Sequence, residues 1–232
     1  MLKVSTSEKK YIVEGVAADV RADGRDRLSY RSLSLETSLL AQSNGSARAS
    51  LEASGTDVLA SVKLEVATPL PETPNAGIVQ SSGNLPDVIS MAIYAALNDT
   101  VFPSVRLVGV EGEDKTIEVD TDPAAGRLMM AQQWPICVTL SKIGDYFITD
   151  PMQEEELCTT AQMSVAINPE GSVCGVQKSG TGAIDMEEMQ QMIDEACARS
   201  KELFKLLQGA LHEQKDRDAK AGHRVERVGF LG

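Results

Sequence analysis

The chain has 232 residues, of which 42% are hydrophobic and 24% charged, a composition typical of a globular protein and unlike that of a disordered chain. Lys and Arg number 22 against 34 Asp and Glu, so the net charge of −12 repels nucleic acid at long range, and any RNA contact must be local or shared with a partner. No apolar stretch reaches the roughly 18 residues needed to cross a bilayer, and "MLKVSTSEKK" lacks a signal-peptide hydrophobic region, so we expect an intracellular protein without membrane contact.

The first half of the chain predicts a short helix, three strands and an inner helix. The short helix covers residues 7–20, with Ser7 as the expected N-cap. Three antiparallel strands follow within residues 33–66, because apolar residues alternate between Gly-containing turns. Residues 82–99 predict a helix with Pro86 in its first turn, and because this helix is apolar nearly all round, it should lie deep in the core.

The second half predicts hairpins and a long C-terminal helix. A strand or a hairpin is expected at 103–120, hairpins are expected at 134–151 and at 161–180, and the helix is expected at 185–214. Strands, an inner helix, more strands and a final helix indicate one α+β domain over residues 1–232, with mixed or antiparallel sheets and packed helices. The final helix carries methionines at 186, 189 and 192, which we expect to fill the core.

Histidines and cysteines are too few and too scattered to predict a metal site. The two histidines, His212 and His223, both lie near the polar C-terminus, so a His-based metal site or catalytic triad is not expected. The cysteines form no CxxC pair and fall in apolar segments, which predicts buried free thiols rather than zinc ligands or disulfides. They are Cys137, Cys158, Cys174 and Cys197.

The densest acidic run lies at 150–156, where Asp150, Glu154, Glu155 and Glu156 occupy four of seven positions. Adjacent glutamates point about 100° apart on a helix and to alternate faces on a strand, so the three cannot converge on one ion. The next strand offers no acid to complete a two-carboxylate site. The chemistry of the run therefore predicts a solvated end of a strand.

Two Gly-rich turns, at 81–85 and at 178–185, lead into predicted helices whose amide groups could receive a phosphate. Neither turn has the GxxxxGK[ST] pattern of a P-loop. Both are predicted to be ordinary connections into a helix.

An ordered series of motifs identifies a family. The segments "RADGRDRLSYRSLSLET", "NGSARASL" and "GTDVLASVKLEVATP" resemble the opening of the RNase PH superfamily, with its R-x-D-G-R turn, G-S-A strand and G-x-T-x-V-L-x-x-V-K strand. The later segments "SGNLPDVISMAIYAALN", "TLSKIGDYFITDPMQEEE" and "VGFLG" narrow the resemblance to a non-catalytic ring subunit of the eukaryotic RNA exosome. The resemblance extends over nearly the whole chain.

The resemblance implies a fold, partners and a location. The fold is an RNase PH domain, a ribosomal-protein-S5-domain-2-like α/β arrangement of sheets and helices. The implied partners are the other RNase PH-like ring subunits, the cap subunits, and single-stranded RNA that passes through the assembled ring. No cofactor is implied. Exosome membership implies the nucleus, the nucleolus and the cytoplasm, with roles in rRNA maturation and mRNA turnover.

Active relatives perform phosphorolysis, and this chain departs from them at the positions that carry the chemistry. Their D-x-D motif aligns with Thr160 and Gln162, neither of which can act as a general acid. Their G-G-T-R phosphate loop aligns with residues 82–85, which lack the clamping arginine. We therefore predict no catalytic residues and no metal site. The alternatives are an active phosphorolytic 3′→5′ exoribonuclease and a truncated isoform that does not enter the exosome.

The weak candidates for RNA contact are Arg21, Arg25 and Arg31, near the R-x-D-G-R turn. The alternative for each is a salt bridge within the chain or at a subunit interface.

An internal segment is missing relative to the family. Between about 78 and 82, family members carry roughly sixty further residues, which a domain of this class would normally include. A real truncation, a splice form or a gene-model error would each explain the difference. Loss of central strands would leave unpaired edges and a marginally stable domain.

Overall fold

In the computed structural model, the described residues are 4–51, 55–64, 76–80, 83–108, 116–119, 126–129 and 133–221. The first sheet has four antiparallel strands in the order β1-β2-β3-β4. Its strands are β1 (Leu33–Thr37), β2 (Gly45–Leu51), β3 (Thr56–Val62) and β4 (Ala76–Gln80). The three predicted strands are confirmed, and β4, which the sequence pattern did not predict, extends their sheet.

The N-terminal helix α1 (Thr6–Ala17) begins earlier than predicted. Its N-cap is Ser5 rather than Ser7, because Ser5 and Glu8 form a reciprocal capping box: the Ser5 hydroxyl accepts from the Glu8 backbone N–H, and the Glu8 carboxylate accepts from the Ser5 backbone N–H. The helix also ends at Ala17, before the predicted end at residue 20, and Val20 beyond it is exposed.

The inner helix α2 (Leu85–Asp99) lies within the predicted range 82–99 and is buried in the core as predicted. It packs against strands of both large sheets, and Val88, Met91, Ala92 and Ala95 are all fully buried. Four short strands follow in two antiparallel pairs, so the predicted hairpin near 103–120 is confirmed as β6 with β7. They are β5 (Val101–Phe102), β6 (Val105–Val108), β7 (Thr116–Val119) and β8 (Arg127–Leu128).

The second large sheet contains both remaining predicted hairpins. Its strands are β9 (Ile136–Ile143), β10 (Tyr146–Thr149), β11 (Ala161–Ile167) and β12 (Val173–Gly180). All its neighbours are antiparallel, in the order β10-β9-β11-β12. The four-residue helix α3 (Gln153–Glu156) connects β10 to β11, and the acidic run therefore lies at the turn between these two strands.

The C-terminal helix α4 (Met186–Ala221) packs one stripe of side chains on β1, β9 and β11. Met192 is buried in this stripe, whereas Met186 and Met189 are exposed. The prediction that the three methionines fill the core is therefore confirmed for Met192 and wrong for the other two. Both exposed methionines lie in the first turn of α4. Cys174 is also exposed, because it lies on the outermost strand β12, whereas Cys158 is buried as predicted. None of the described helices is long and apolar enough to span a membrane.

Candidate functional site

The turn at residues 21–25 lies directly against the acidic run, and buried ion pairs join the two. Arg21 is only 3% exposed, and its Nε donates to Glu155 Oε1 at 2.9 Å. Its Nη2 pairs with the second oxygen of the same carboxylate, and its Nη1 donates to the Thr149 carbonyl at 2.9 Å. The fork of the guanidinium thus holds the start of α3 to the end of β10.

Asp150 is the centre of a second group of charges. It is completely buried, in a left-handed backbone conformation with φ of 46°, and five donors surround its carboxylate. Arg31 Nη2 donates at 2.5 Å, Arg31 Nε at 2.7 Å, Asn84 Nδ2 at 2.8 Å, and Arg25 Nη1 and the Arg31 backbone N–H at 2.9 Å each. Burial opposes ionisation, but the hydrogen bonds and charge of Arg31, helped by Arg25, outweigh it and lower the pKa of Asp150.

The predicted solvated end of a strand was therefore wrong for two of the four acids. Asp150 and Glu155 are buried because each finds a guanidinium supplied from more than 100 positions earlier in the chain. Glu154 alone is fully solvated, and Glu156 is partly buried. The acidic run is the anionic half of a structural ion-pair cluster, which we call the Asp150 cluster (Arg21, Arg25, Arg31, Asn84, Asp150, Glu155).

The three arginines that the sequence analysis named as candidates for RNA contact all belong to this cluster. Arg21 and Arg31 are buried, and the side chain of Arg25 is 15% exposed between Asp23 and Asp150. The geometry thus favours the alternative of ion pairs within the chain. RNA contact by these residues stays a prediction, and Arg25 is the member of the three with some access to solvent.

The carboxylate of Glu156, at the end of α3, contacts the N-cap of α2, which lies in the segment aligned with the family's phosphate loop. Its Oε1 accepts a hydrogen bond of 2.7 Å from the Asn84 backbone N–H, the N-cap residue of α2. Burial raises the pKa of Glu156, although the Asn84 N–H and the charge of Arg31 oppose that rise. A carboxylate of the chain itself therefore uses an amide that an incoming phosphate would need.

Thr160 and Gln162 lie beside Glu156 in a shallow open pocket of about 250 Å³. The pocket is lined by Glu156, Thr159, Thr160, Ala161, Gln162 and Gly180. The Thr160 hydroxyl donates to the Lys142 carbonyl at 3.2 Å, and Gln162 Nε2 donates to Ser141 Oγ at 3.2 Å. This lining contains a single carboxylate and no cationic side chain, so it offers no pair of groups for acid catalysis and phosphate binding.

The second Gly-rich turn, at 178–185, also leads into a helix whose first backbone amide groups include two that already donate to carboxylates of the chain. Asp185 accepts from the Glu188 backbone N–H at 2.8 Å, and Glu188 accepts from the Asp185 backbone N–H at 3.1 Å. This capping box uses two backbone amide groups at the start of α4 that a phosphate would require.

A buried acid that the sequence analysis missed lies one turn into α2. Asp87 is completely buried, and its Oδ2 accepts from the Tyr30 hydroxyl at 2.8 Å and from the Thr139 backbone N–H at 3.0 Å. Its Oδ1 has no partner among the described residues. Burial raises the pKa of Asp87 to about 6. A polar residue in the apolar pattern of "NLPDVISMAIYAAL" was the available signal.

The raised pKa of Asp87 predicts how the free energy of unfolding changes with pH. Between pH 7 and 5 the folded chain takes up a proton at Asp87 that the unfolded chain, with a pKa near 3.8, does not. Its contribution to the free energy of unfolding should therefore rise by about 1 kcal/mol as the pH falls through this range. Urea unfolding of Asp87→Asn and of the wild type at both pH values measures the difference, and parallel pH profiles would contradict the assignment.

Comparison with known proteins places this geometry in a family. Residues 133–199 match the RNase PH C-terminal domain, described as "3′ exoribonuclease family, domain 2". This segment is similar to the second domain of that family. It contains β9 to β12 and the first part of α4, and therefore also the acidic run and the pocket beside Thr160.

Curated relatives and a solved structure extend the similarity to most of the chain. A Dictyostelium discoideum protein named "Putative exosome complex exonuclease RRP42" is 26% identical, with 92% of this chain and 99% of that protein covered. The "Exosome complex component Rrp42" of Methanopyrus kandleri is 24% identical, covering 86% and 95%. An archaeal exosome core chain superposes with a TM-score of 0.66 at 19% identity, covering 86% and 96%. The chain is thus a homologue of Rrp42-type exosome components, with an α+β RNase PH fold.

The length of the first alignment bears on the missing segment. It extends over 323 positions, whereas the whole chain has 232 residues, so the Dictyostelium relative contains stretches with no counterpart here. The position of the gap, between about 78 and 82, stays a prediction, and residues 81–82 lie outside the described ranges. The observed β4 (Ala76–Gln80) extends into this range.

Proposed function

We propose that this chain is a non-catalytic structural subunit of the RNA exosome core ring, where it supports 3′→5′ RNA processing and degradation. Its partners are the other RNase PH-like ring subunits and the cap subunits, and it contributes to binding single-stranded RNA in the assembled ring. The nucleus, the nucleolus and the cytoplasm are the proposed locations. The similarity to Rrp42-type exosome components supports this role.

The absence of catalysis is supported by what surrounds Asn84 and Thr160. Phosphorolysis requires a bound phosphate to attack the terminal phosphodiester and an acid to protonate the leaving oxygen. The described residues around the pocket provide neutral side chains at Thr160 and Gln162, and Glu156 accepts the Asn84 amide hydrogen. A second anion at that amide would meet the charge of Glu156 at hydrogen-bond distance.

The decisive assay incubates the purified chain with single-stranded RNA and inorganic phosphate and measures released nucleoside diphosphates. We expect none above background, and an active RNase PH enzyme serves as the positive control. Thr160→Asp combined with Gln162→Asp should also remain inactive, since it restores the acids without a phosphate-binding cation. Phosphate-dependent release by the wild-type chain, abolished by Glu156→Gln, would instead establish an exoribonuclease.

Membership of the ring is tested separately. The tagged chain, expressed in its source cells, should co-purify with other RNase PH-like subunits in one large assembly. A chain that stays monomeric in the cell would contradict the structural role and favour the isoform that does not enter the exosome.

A further inference from the structure

Strand β12 leaves one edge of the second large sheet uncovered. All eight of its residues are exposed, including Val173 at 43% and Val176 at 46%. Within the described part of the chain, β12 pairs with β11 on one side and has no strand on the other. Outward-pointing backbone N–H and C=O groups along this edge are therefore available to another strand.

Two other outer strands of the large sheets are packed against helices of the chain. The strand β10, at the opposite side of the same sheet, is only four residues long and packs against α1, where Ile148 joins Ile12 and Val16 in a small apolar cluster. In the first sheet, β1 packs against α4 and buries Leu35. The longer β12, in contrast, is exposed at all eight of its residues.

The side chains of β12 do little to protect the edge. The strand reads "VCGVQKSG", with no proline, no acid and one charge. Exposed edges are usually protected by several charges, prolines or a short length, because an open edge recruits other strands. Backbone pairing is therefore available to any extended segment that suits the charge of this edge.

The charged side chains at this edge are two lysines, Lys178 in the strand and Lys201 beside the turn, and one exposed carboxylate, Glu170 in the turn. The Lys178 ammonium donates to the Gly180 carbonyl, and no described carboxylate pairs with it. Lys201 lies beside Gly171 at the other end of the hairpin, and it too is exposed with no carboxylate partner among the described residues. A strand that carries carboxylates would complement both lysines.

We propose that β12 is a docking edge for an acid-bearing strand of a neighbouring RNase PH-like subunit, which extends the sheet across the subunit boundary. The inference rests on the proposed ring function and names the surface and the kind of segment that binds there. Backbone hydrogen bonds supply the pairing, and the two lysines favour a partner with carboxylates over a second copy of this strand, which contains no acid.

The test uses the tagged full chain, purified with its assembly from the source cells. Val176→Lys adds a charge to the edge, and Lys178→Glu reverses the charge that the partner should meet. Each should lower recovery of sister subunits about tenfold or more. The matched control is Val105→Lys, which makes the same substitution at a 57% exposed position of β6 and should leave recovery unchanged. Backbone hydrogen exchange across 173–180 should slow in the assembly relative to the free chain.

The outcomes separate this inference from the ring function. Normal recovery of sister subunits with both β12 variants, or unchanged exchange at 173–180, overturns the docking edge and leaves ring membership intact. Failure of the wild-type chain to recover any RNase PH-like subunit overturns the ring function and the proposed partner together. Dimerisation of the isolated chain that Val176→Lys abolishes would assign the edge to a second copy and overturn the inference.

Discussion

Replacing Asp150 by alanine should lower the free energy of unfolding by about 3–5 kcal/mol, because it removes one side of a buried charge cluster. The Arg31 side chain, 3% exposed, would then lose its ion pair with Asp150, and Asn84 Nδ2 would lose the acceptor that it contacts at 2.8 Å. Removing one side of a buried ion pair costs far more than the intact pair contributes. Urea unfolding at neutral pH, followed by circular dichroism, measures the loss.

Two comparisons make the Asp150 prediction specific. Asp57→Ala removes the partner of Arg48, whose side chain is 46% exposed, and should cost less than about 1 kcal/mol. The cost of Asp150→Ala should also shrink in acid. The pKa of Asp150 is lowered in the folded chain, so its contribution is complete above the unfolded pKa near 3.8 and is lost as the pH falls through the folded value. Equal costs for both variants at neutral pH would contradict the central role of Asp150.

Local patterns predicted most of the secondary structure of this chain. Alternating apolar residues and Gly-containing turns specify hairpins such as β9–β10 and β11–β12, and the Asp185–Glu188 spacing specifies the start of α4. The error at α1 was also local. Ser5 and Ser7 are both acceptable caps, but only Ser5 has a glutamate three residues later, and that spacing would have identified the correct start.

The burial of the acidic run could not be predicted from the run itself. Asp150 lies 119 positions from Arg31, and Glu155 lies 134 positions from Arg21, so neither pairing leaves a local sequence pattern. Isolated carboxylates in a charged run are normally solvated, because burial without a cation is costly. Tertiary pairing overrides that expectation here. The R-x-D-G-R motif was visible in the sequence, but its structural role depends on which acids the fold brings to it.

Replacing Gly83 by alanine should lower the free energy of unfolding by about 2–4 kcal/mol, because the backbone there is both left-handed and crowded. Gly83 has φ of +97°, and a Cβ at this position would lie 2.4 Å from the Pro151 carbonyl oxygen and 2.8 Å from the Met152 carbonyl carbon. Both are backbone atoms, so the start of α2 or the turn before α3 must move. That movement would pull Asn84 away from Glu156 and from the Asp150 cluster. Thermal and urea unfolding measure the loss.

Gly24→Ala is the control that separates the cost of the left-handed backbone at Gly83 from the cost of the crowding around its Cβ position. Gly24 has φ of +83°, close to that of Gly83, but nothing lies within 4 Å of its Cβ position. Alanine there should cost only about 1–2 kcal/mol, which is the price of the left-handed conformation. The excess cost of Gly83→Ala then measures how tightly the start of α2 is held against residues 151–153. If the two variants lose equal stability, that contact is loose, and the Asn84 amide is accessible to anions that the Glu156 contact should exclude.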